Sequence, residues 1–269
     1  MKVARTAADV RGLLTADRLA RRSIGLVPTM GAFHPGHLSL IAAARAQNDI
    51  TVVSLFVNPA QFGPSEDLAR YPRDEARDAA TADEAGADVL LLPSVEEMYP
   101  PGFDSWIDPG ELGAILEGAF RPGHFRGVAT ICTKLFAIVG PARAYFGRKD
   151  AQQLAVVKQV VDDLALPLEI VSCPTVRDPD GLALSSRNAY LAPDHRASAL
   201  ALPRALQAGL EAHRGGADAV AAARGELDGV PGLAVDYVAI ADLDGLTLAA
   251  AVRVGSTRLI DNVELDGRG

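Results

Sequence analysis

Short apolar runs alternate with charged, helix-like segments over the first two thirds of the chain. Apolar runs of this length, ending at polar turn residues, indicate buried strands, and they occur at 23–27, 51–57, 88–92, 142–146 and 168–176. The segments between them predict helices at 36–47, 74–85, 125–139 and 150–164. Because alternating strands and helices build a parallel sheet wrapped by helices, the pattern predicts an α/β fold with a Rossmann-like, doubly wound parallel sheet. Such folds bind ligands at the carboxyl ends of their strands.

The pattern changes after the turn-forming sequence Pro179-Asp180-Gly181. Alanine-rich segments predict further helices near 193–213 and 217–227, and strand-like runs follow at 234–241 and 247–259. A change from alternating strands and helices to helices followed by strands indicates a separate α+β unit. We therefore predict a Rossmann-like domain at 1–177 and a smaller α+β C-terminal domain at 178–269.

Length and charge limit the kinds of partner. A chain of 269 residues with 49% hydrophobic content can bury one large core and a smaller second one. The formal net charge of -8 at pH 7 argues against a nucleic-acid partner, because such proteins usually carry an excess of basic residues. Small anions must therefore be bound by a few local groups.

Cysteine usage and the N-terminal sequence indicate a compartment. Cys132 and Cys173 lie in apolar stretches without metal-like spacing, which predicts buried free thiols and a reducing environment. The N-terminus has no apolar leader, and no run approaches the roughly 20 apolar residues that span a bilayer. We expect a cytoplasmic protein without membrane contact. The alternative is a transit peptide in arginine-rich residues 5–22, but Asp9 and Asp17 interrupt that segment.

The segment VPTMGAFHPGHLSL, at 27–40, leads from a predicted strand into a predicted helix. Unpaired N–H groups and the helix dipole favour phosphate at such a helix N-terminus. His34 and His37 flank Gly36, whose missing side chain lets a ligand approach the backbone closely. Metal ligation and helix capping would explain the two histidines as well, so this motif alone is weak evidence for phosphate chemistry.

A second strand-turn-helix segment, RAYFGRKDAQQLAV, covers 143–156. Lys149 lies in its turn, where an ammonium group can stabilise negative charge that develops during a reaction. The alternative is an exposed lysine followed by an ordinary capping box of Asp150 and Gln153. By itself, this segment favours the structural interpretation.

Polar residues follow two further predicted strands. In PTVRDPDGLALSSRNAYL, at 174–191, Ser185, Ser186 and Arg187 can clamp a polyphosphate, although a helix cap with a solvated arginine is the alternative. In TVVSLFVNPAQFG, at 51–63, Asn58 and Gln61 are neutral amides suited to hydroxyl and carboxylate groups, although Asn-Pro is also an ordinary turn signal. Because all four polar segments follow predicted strands, they point together to one cleft where the strand order reverses.

Several segments carry a family resemblance. The His34-x-x-His37 spacing resembles the HIGH signature, and Leu184 to Arg187 resembles the KMSKS loop, of the nucleotidylyltransferase and class I synthetase superfamily. More closely, the chain from about residue 24 to 191 resembles the pantothenate synthetase family. The segments that carry this resemblance are PTMGAFHPGH, FVNPAQFGPSEDLARYPR, FRPGHFRGVAT, YFGRKDAQQLAV and DGLALSSRN.

The resemblance implies a ligase reaction that forms a C–N bond. ATP and (R)-pantoate would give pantoyl adenylate and pyrophosphate, and β-alanine would then attack the adenylate to give pantothenate and AMP. It also implies a Mg2+ requirement, a homodimer, and a C-terminal domain that acts as a lid.

Site residues carry over from the family position by position. His37, His34, Lys149, Ser185, Ser186 and Arg187 would be catalytic. Pantoate would be bound by Gln61, Gln153 and Asn58, and β-alanine by Gln61. The ATP site would consist of Met30, Gly31, Ala32, Phe33, His34, Pro35, Gly36, His37, Gly147, Arg148, Lys149, Asp150, Val176, Leu184, Ser185, Ser186 and Arg187.

Two positions depart from the family pattern, and two other functions compete. Arg148 stands where glutamate is expected, and Phe33 where leucine or tyrosine is common. A nucleotidylyltransferase acting on a phosphorylated acceptor would need cations in the acceptor pocket, whereas the predicted pocket offers neutral amides. A non-catalytic ATP-binding module would have no need for His37, Lys149 and Arg187 together.

Overall fold

The computed structural model describes residues 1–64 and 66–266. Two compact units account for these residues. One unit consists of Met1–Gly147 and Val156–Cys173, and the other of Arg148–Ala155 and Pro174–Gly269, of which residues 267–269 lie outside the described part. The assignment of functional domains to 1–177 and 178–269 stays a prediction.

The helices and strands follow the chain in a regular order. The helices are α1 Ala7–Leu13, α2 Thr15–Leu19, α3 Pro35–Gln47, α4 Glu75–Glu84, α5 Val95–Met98, α6 Glu117–Phe120, α7 His124–Val139, α8 Ala151–Asp163, α9 Pro193–Ala199, α10 Ala201–Arg214 and α11 Ala219–Leu227. The strands are β1 Lys2–Ala4, β2 Ile24–Thr29, β3 Ile50–Leu55, β4 Val89–Leu91, β5 Arg143–Gly147, β6 Glu169–Cys173, β7 Leu233–Asp242, β8 Leu246–Val254 and β9 Thr257–Glu264.

The first unit contains a six-stranded sheet with the order β1-β4-β3-β2-β5-β6. Every pairing in it is parallel. From β2 the chain builds β3 and β4 on one side, and it then returns to build β5 and β6 on the other. The order therefore reverses between β2 and β5, where folds of this kind bind ligands. This arrangement confirms the predicted doubly wound parallel sheet.

The second unit is built on the antiparallel sheet β7-β8-β9. Helix α10 packs its apolar side on β8, and Leu202, Leu206 and Leu248 are buried in the same cluster. The packing is close, because a Cβ on Gly209 would lie 2.3 Å from a methyl group of Leu248. These features confirm the predicted small α+β fold.

Two local predictions were wrong, and one strand was not predicted. The edge strand β1 was missed, because three residues are too few for a periodic pattern. The run at 247–259 is two strands, because Gly255 adopts a φ of +58° and turns the chain between β8 and β9. The helix predicted at 193–213 is interrupted at Leu200, which separates α9 from α10. Over residues 1–64 and 66–266, no helix is both long enough and apolar enough to cross a membrane.

Candidate active site

The turn after β2 is held by a buried carboxylate. Gly31 and Ala32 adopt left-handed φ values of +86° and +52°, which non-glycine residues rarely do. Asp78 of α4 accepts hydrogen bonds from the backbone N–H of Ala32 at 2.8 Å and of Phe33 at 3.0 Å. A Cβ on Gly31 would lie 2.6 Å from the Asp78 carboxylate, so glycine is needed here. These two amide groups therefore donate to Asp78.

The two histidines at the start of α3 cap the helix reciprocally. His34 Nδ1 accepts from the Gly36 N–H at 3.2 Å, and His37 Nδ1 accepts from the His34 N–H at 3.4 Å. The ring centroids are 4.1 Å apart. A neutral imidazole whose Nδ1 accepts carries its hydrogen on Nε2. The cap thus gives both rings the same tautomer, with the hydrogen on Nε2.

Metal ligation was the other interpretation of this histidine pair. Within the described ranges, no three His, Cys, Asp or Glu side chains come together in a way that could hold a metal ion. Of the alternatives for His34 and His37, the hydrogen bonds show that capping is present.

Asn58 is a buried side chain at the carboxyl end of β3, with 1% of its surface exposed. Its Oδ1 accepts from the backbone N–H of Ala60 at 3.3 Å and from the Tyr99 hydroxyl at 2.7 Å. Its Nδ2 donates to the backbone carbonyl of Gly127 at 3.2 Å. Because a backbone N–H only donates and a carbonyl only accepts, these contacts determine which way the Asn58 amide points.

The orientation of Asn58 determines that of Gln61. Asn58 Nδ2 also donates to Gln61 Oε1 at 3.0 Å, so Gln61 must direct its NH₂ group elsewhere. That nitrogen lies 3.2 Å from the sulfur of Met30. Gln61 therefore presents an N–H donor, which suits a carboxylate or hydroxyl ligand. Direct contact between Asn58 and pantoate stays a prediction, whereas its contact with Gln61 is observed.

His124 holds the backbone of the same turn. Its Nδ1 lies 2.8 Å from the Gln61 carbonyl, and its Nε2 lies 3.1 Å from the Arg121 guanidinium. A carbonyl can only accept and a guanidinium can only donate, so the ring is neutral with its hydrogen on Nδ1. Burial, and then the Arg121 charge, lower the pKa of His124 to about 4. The ring therefore stays neutral at pH 7.

Arg121 is itself paired with Glu66. Two guanidinium nitrogens contact the carboxylate oxygens of Glu66 at 2.6 and 3.0 Å. Burial acts to raise the pKa of Glu66, but the hydrogen bonds and charge of Arg121 outweigh it and lower that pKa. The result is a charge-compensated cluster around the main chain of Gln61.

Helix α7 comes unusually close to this turn. A Cβ on Gly127 would lie 2.3 Å from the carbonyl oxygen of Ala60, so only glycine fits. The close approach brings the Gly127 carbonyl to Asn58, and α7 also carries His124.

In the second unit, the 3₁₀ turn Arg148–Asp150 is held by the C-terminal sheet. Asn262 of β9 donates from Nδ2 to the carbonyls of Arg148 and Lys149, both at 2.9 Å. The Arg148 guanidinium pairs with Glu264 and lies 3.5 Å from Asp244. The charge of Arg148, which departs from the family pattern, is thus balanced within this unit. Lys149 Nζ lies 3.4 Å from Asp150, and its side chain is largely covered.

The loop that carries Ser185, Ser186 and Arg187 is also held within the second unit. Its entrance is closed by a backbone bridge between Arg177 and Ala183 and by a 2.9 Å bond from the Leu184 N–H to the Val176 carbonyl. Ser185 then caps the 3₁₀ turn Ser186–Tyr190 by accepting from the Arg187 N–H. The capping alternative is therefore present, and it engages the Ser185 hydroxyl and the backbone N–H of Arg187.

The predicted site residues fall into two groups. The first unit brings His34 close to His37, and it brings Asn58, Gln61 and Met30 together. The first unit also carries Gly147, at the end of β5, and the turn and helix-start residues Gly31, Ala32, Phe33, Pro35 and Gly36. The second unit carries the remaining predicted residues, which are Arg148, Lys149, Asp150, Gln153, Val176, Leu184, Ser185, Ser186 and Arg187. Gln153 lies partly exposed on α8, next to the buried Gln152.

Sequence reasoning missed four residues that support these groups. They are Asp78, Tyr99, His124 and Asn262. His124 lies in FRPGHFRGVAT, a segment that carried the family resemblance without a role for any residue. The other three lie in ordinary helix, turn and strand patterns, where nothing in the local sequence indicates their partners.

Comparisons with known proteins agree across the chain. Residues 2–264 match the family described as Pantoate-beta-alanine ligase. A pantothenate synthetase of Roseiflexus sp. (strain RS-1) is 54% identical over 280 aligned positions, which cover 99% of this chain and 100% of that protein. A pantothenate synthetase of Moorella thermoacetica is 52% identical and covers 99% of both chains.

Solved structures extend the agreement to the fold. The pantothenate synthetase of Thermus thermophilus superposes with a TM-score of 0.92 at 48% identity, covering 98% of this chain and 99% of that one. The pantoate-beta-alanine ligase of Francisella tularensis, solved in complex with beta-gamma ATP and beta-alanine, superposes with a TM-score of 0.84 at 35% identity, covering 99% of this chain and 98% of that one. By sequence and by structure, the chain belongs to the pantoate–β-alanine ligase family.

Proposed function

We propose that this protein joins (R)-pantoate to β-alanine at the expense of ATP, through a pantoyl adenylate. In the first step the pantoate carboxylate attacks the α-phosphorus of ATP, a P–O bond forms, and pyrophosphate leaves. In the second step the amine of β-alanine attacks the acyl carbon, loses a proton, and displaces AMP to give pantothenate. The observation that carries the proposal is the match of residues 2–264 to the pantoate–β-alanine ligase family, and the reciprocally capped His34–His37 pair at the start of α3 supports it.

The first step brings two anions together, so it needs positioning and charge stabilisation more than a protein nucleophile. We assign His37, His34 and Lys149 to the α-phosphate as the transition state forms, and Ser185, Ser186 and Arg187 to the departing pyrophosphate. The remaining predicted ATP-site residues are assigned to ATP binding under this proposal.

Gln61 and Gln153 are assigned to pantoate, and Gln61 also to β-alanine. The fixed orientation of Gln61 supports its role, because an N–H donor held in place can bind a carboxylate or hydroxyl without first reorganising. Asn58 contributes through Gln61. The acceptor-binding residues carry no positive charge, which favours pantoate over a phosphorylated acceptor.

Mg2+ and a homodimer complete the proposal. Magnesium in nucleotide sites is usually bound by the substrate phosphates with one or two carboxylates, not by a protein cage. Asp150 would fit that mode, because it provides a single carboxylate beside Lys149. The ion would neutralise phosphate charge when bound. The homodimer rests on the family resemblance, and light scattering of the purified protein tests it.

Exchange of labelled pyrophosphate into ATP tests the two-step scheme. A free adenylate intermediate predicts exchange that requires pantoate but not β-alanine. Reactions without pantoate, and with an unrelated hydroxy acid, are the controls. Exchange that begins only after β-alanine is added would contradict the scheme.

A further inference from the structure

Strand β9 contacts two separate catalytic segments of the second unit. On one side, Asn262 donates both of its Nδ2 hydrogens to consecutive carbonyls of the turn that carries Lys149, each at 2.9 Å. A side-chain amide has two donors at a set angle, so two bonds to adjacent carbonyls define where the turn lies on the strand.

A second contact on the same side reinforces the first. Residues two apart on a strand face the same way, and Glu264 follows Asn262 at that spacing and pairs with the Arg148 guanidinium. The turn is therefore attached to β9 through its main chain and through a side chain.

The neighbouring residue, Asp261, holds the other segment. Its side chain is 1% exposed and binds Arg177 through two contacts, at 2.6 and 3.0 Å. Arg177 lies at the base of the loop that leads to Ser185, and its guanidinium also reaches the Gly181 carbonyl at 3.1 Å. A buried carboxylate needs a charged partner, so this pair holds the base of the loop on β9.

We propose that β9 is the common support that sets the spacing between Lys149 and the Ser185–Arg187 loop, with Asn262 and Asp261 as positioning residues for the adenylation step. Adjacent residues of one strand project to opposite faces, so a single rigid strand holds both segments. The inference rests on the proposed function, because Lys149 and the loop act on phosphate groups only if ATP is the substrate.

A double-mutant cycle on the full chain tests the role of Asn262. Asn262→Ala should lower the kcat of pantoate-dependent pyrophosphate exchange by about tenfold to a hundredfold, because small misplacements of a catalytic group are costly. The KM for pantoate should change less than about twofold. In a Lys149→Ala background the same substitution should cause no further loss, since the two residues act as a unit.

Arg258→Ala is the matched control, because Arg258 lies on the same face of β9 but pairs with Asp236. It should leave kcat unchanged. Equal losses from Asn262→Ala in both backgrounds, or no loss at all, would overturn the proposal. If Asn262→Ala fails to fold, Asn262→Asp keeps the side-chain shape while removing both donors, and the same cycle applies to it.

A separate variant tests the role of Asp261 in holding the base of the Ser185–Arg187 loop. Asp261→Asn keeps the size of the side chain but weakens the pair with Arg177, and it should raise the KM for ATP by about tenfold while leaving that for pantoate within about twofold. In an Arg187→Ala background it should add nothing further. Two results together would retain the proposed function but rule out the role of β9. They are normal pyrophosphate exchange by the unmodified protein, and losses of activity from Asn262→Ala and Asp261→Asn that are as large in the Lys149→Ala and Arg187→Ala backgrounds as in the unmodified protein.

Discussion

The Asn58–Gln61 turn and the Arg148–Asp150 turn are held by different kinds of contact. The first is surrounded by buried side chains. Asn58 donates to the Gly127 carbonyl, and His124 and Arg121 both contact the Gln61 carbonyl. The second is a short turn in which two carbonyls accept hydrogen bonds from one side chain, that of Asn262 on β9. Loss of a buried polar partner leaves a desolvated group, whereas loss of a partner at a half-exposed contact can be replaced by water. Disturbing the first turn should thus cost stability and function together, and disturbing the second should cost mainly function.

The largest expected effect tests the second turn. Lys149→Ala should slow adenylation by about 10²- to 10³-fold, or about 2.7–4 kcal/mol of barrier, because it removes a charge aimed at the transition state. ATP affinity and melting temperature should change little. Single-turnover kinetics and a thermal melt measure both, with Lys158→Ala as a lysine control. A variant that binds ATP poorly yet reacts normally at saturation would contradict this role.

The next effect tests the first turn. Asn58→Asp replaces the donor to Gly127 and Gln61 with an oxygen and should destabilise the fold by about 2–3 kcal/mol. Gln61 would lose the contact that orients it, so the KM for pantoate should rise about tenfold. Denaturant unfolding and steady-state kinetics measure the two effects.

Asn48→Asp is the matched control for Asn58→Asp. Asn48 also donates to a backbone carbonyl, that of Ala44, and to the Tyr145 hydroxyl, but it takes no part in the Asn58–Gln61 turn. It should lower stability without changing the KM for pantoate. An equal rise in KM for both variants would show that destabilisation alone explains the effect.

The buried His124 predicts a pH dependence of stability. Its pKa is lowered to about 4 in the folded protein, against about 6.5 in an unfolded chain. As the pH falls, the unfolded chain therefore takes up a proton on His124 before the folded protein does. The contribution of neutral His124 to the free energy of unfolding is complete above the pKa of the unfolded state, and it is lost as the pH falls toward the pKa of the folded state. From this residue we expect a loss of about 2 kcal/mol between pH 7 and pH 5.

Denaturant unfolding at the two pH values measures this loss. His124→Gln can still donate to the Gln61 carbonyl but does not titrate, so its stability should vary less between pH 7 and pH 5. If the free energy of unfolding falls equally in the unmodified protein and in the variant between pH 7 and pH 5, His124 does not cause the pH dependence.

The smallest effect concerns Gln153. Gln153→Glu retains a helix-compatible side chain but places a negative charge beside an anionic substrate. If Gln153 binds pantoate, the KM for pantoate should rise at least about tenfold, or about 1.4 kcal/mol, with little change in melting temperature. Gln152→Glu, at the buried neighbouring position, should instead lower the melting temperature. An unchanged pantoate KM would leave Gln153 with a structural role alone.

The sequence predicted the main features of the fold because its local patterns agree with the final structure. The runs that became β2, β3 and β5 are apolar and end at polar turns. Glycine at turn positions such as Gly31 is explained by a left-handed backbone conformation, with a φ of +86°. The split between β8 and β9 was missed because the apolar pattern continues past Gly255, and a single glycine does not by itself end a strand.

The candidate site was predictable only in part. His34, Lys149 and Ser185 follow strands in recognisable motifs, so chemistry and position pointed to them together. Asp78, Tyr99 and Asn262 act through contacts with residues 41 to 114 positions away in the chain. No local pattern carries that information, because these contacts exist only after the elements have packed.

The attachment of the Lys149 turn to β9 also has a consequence for synthesis of the protein on the ribosome. Asn262 is translated 113 residues after Lys149, and domains generally fold in the order in which they emerge. The sheet of the first unit can form while the C-terminal residues are still being added. Lys149 receives its support only when β9 has left the exit tunnel, so the nascent chain gains its ordered fold before it gains its capacity to consume ATP.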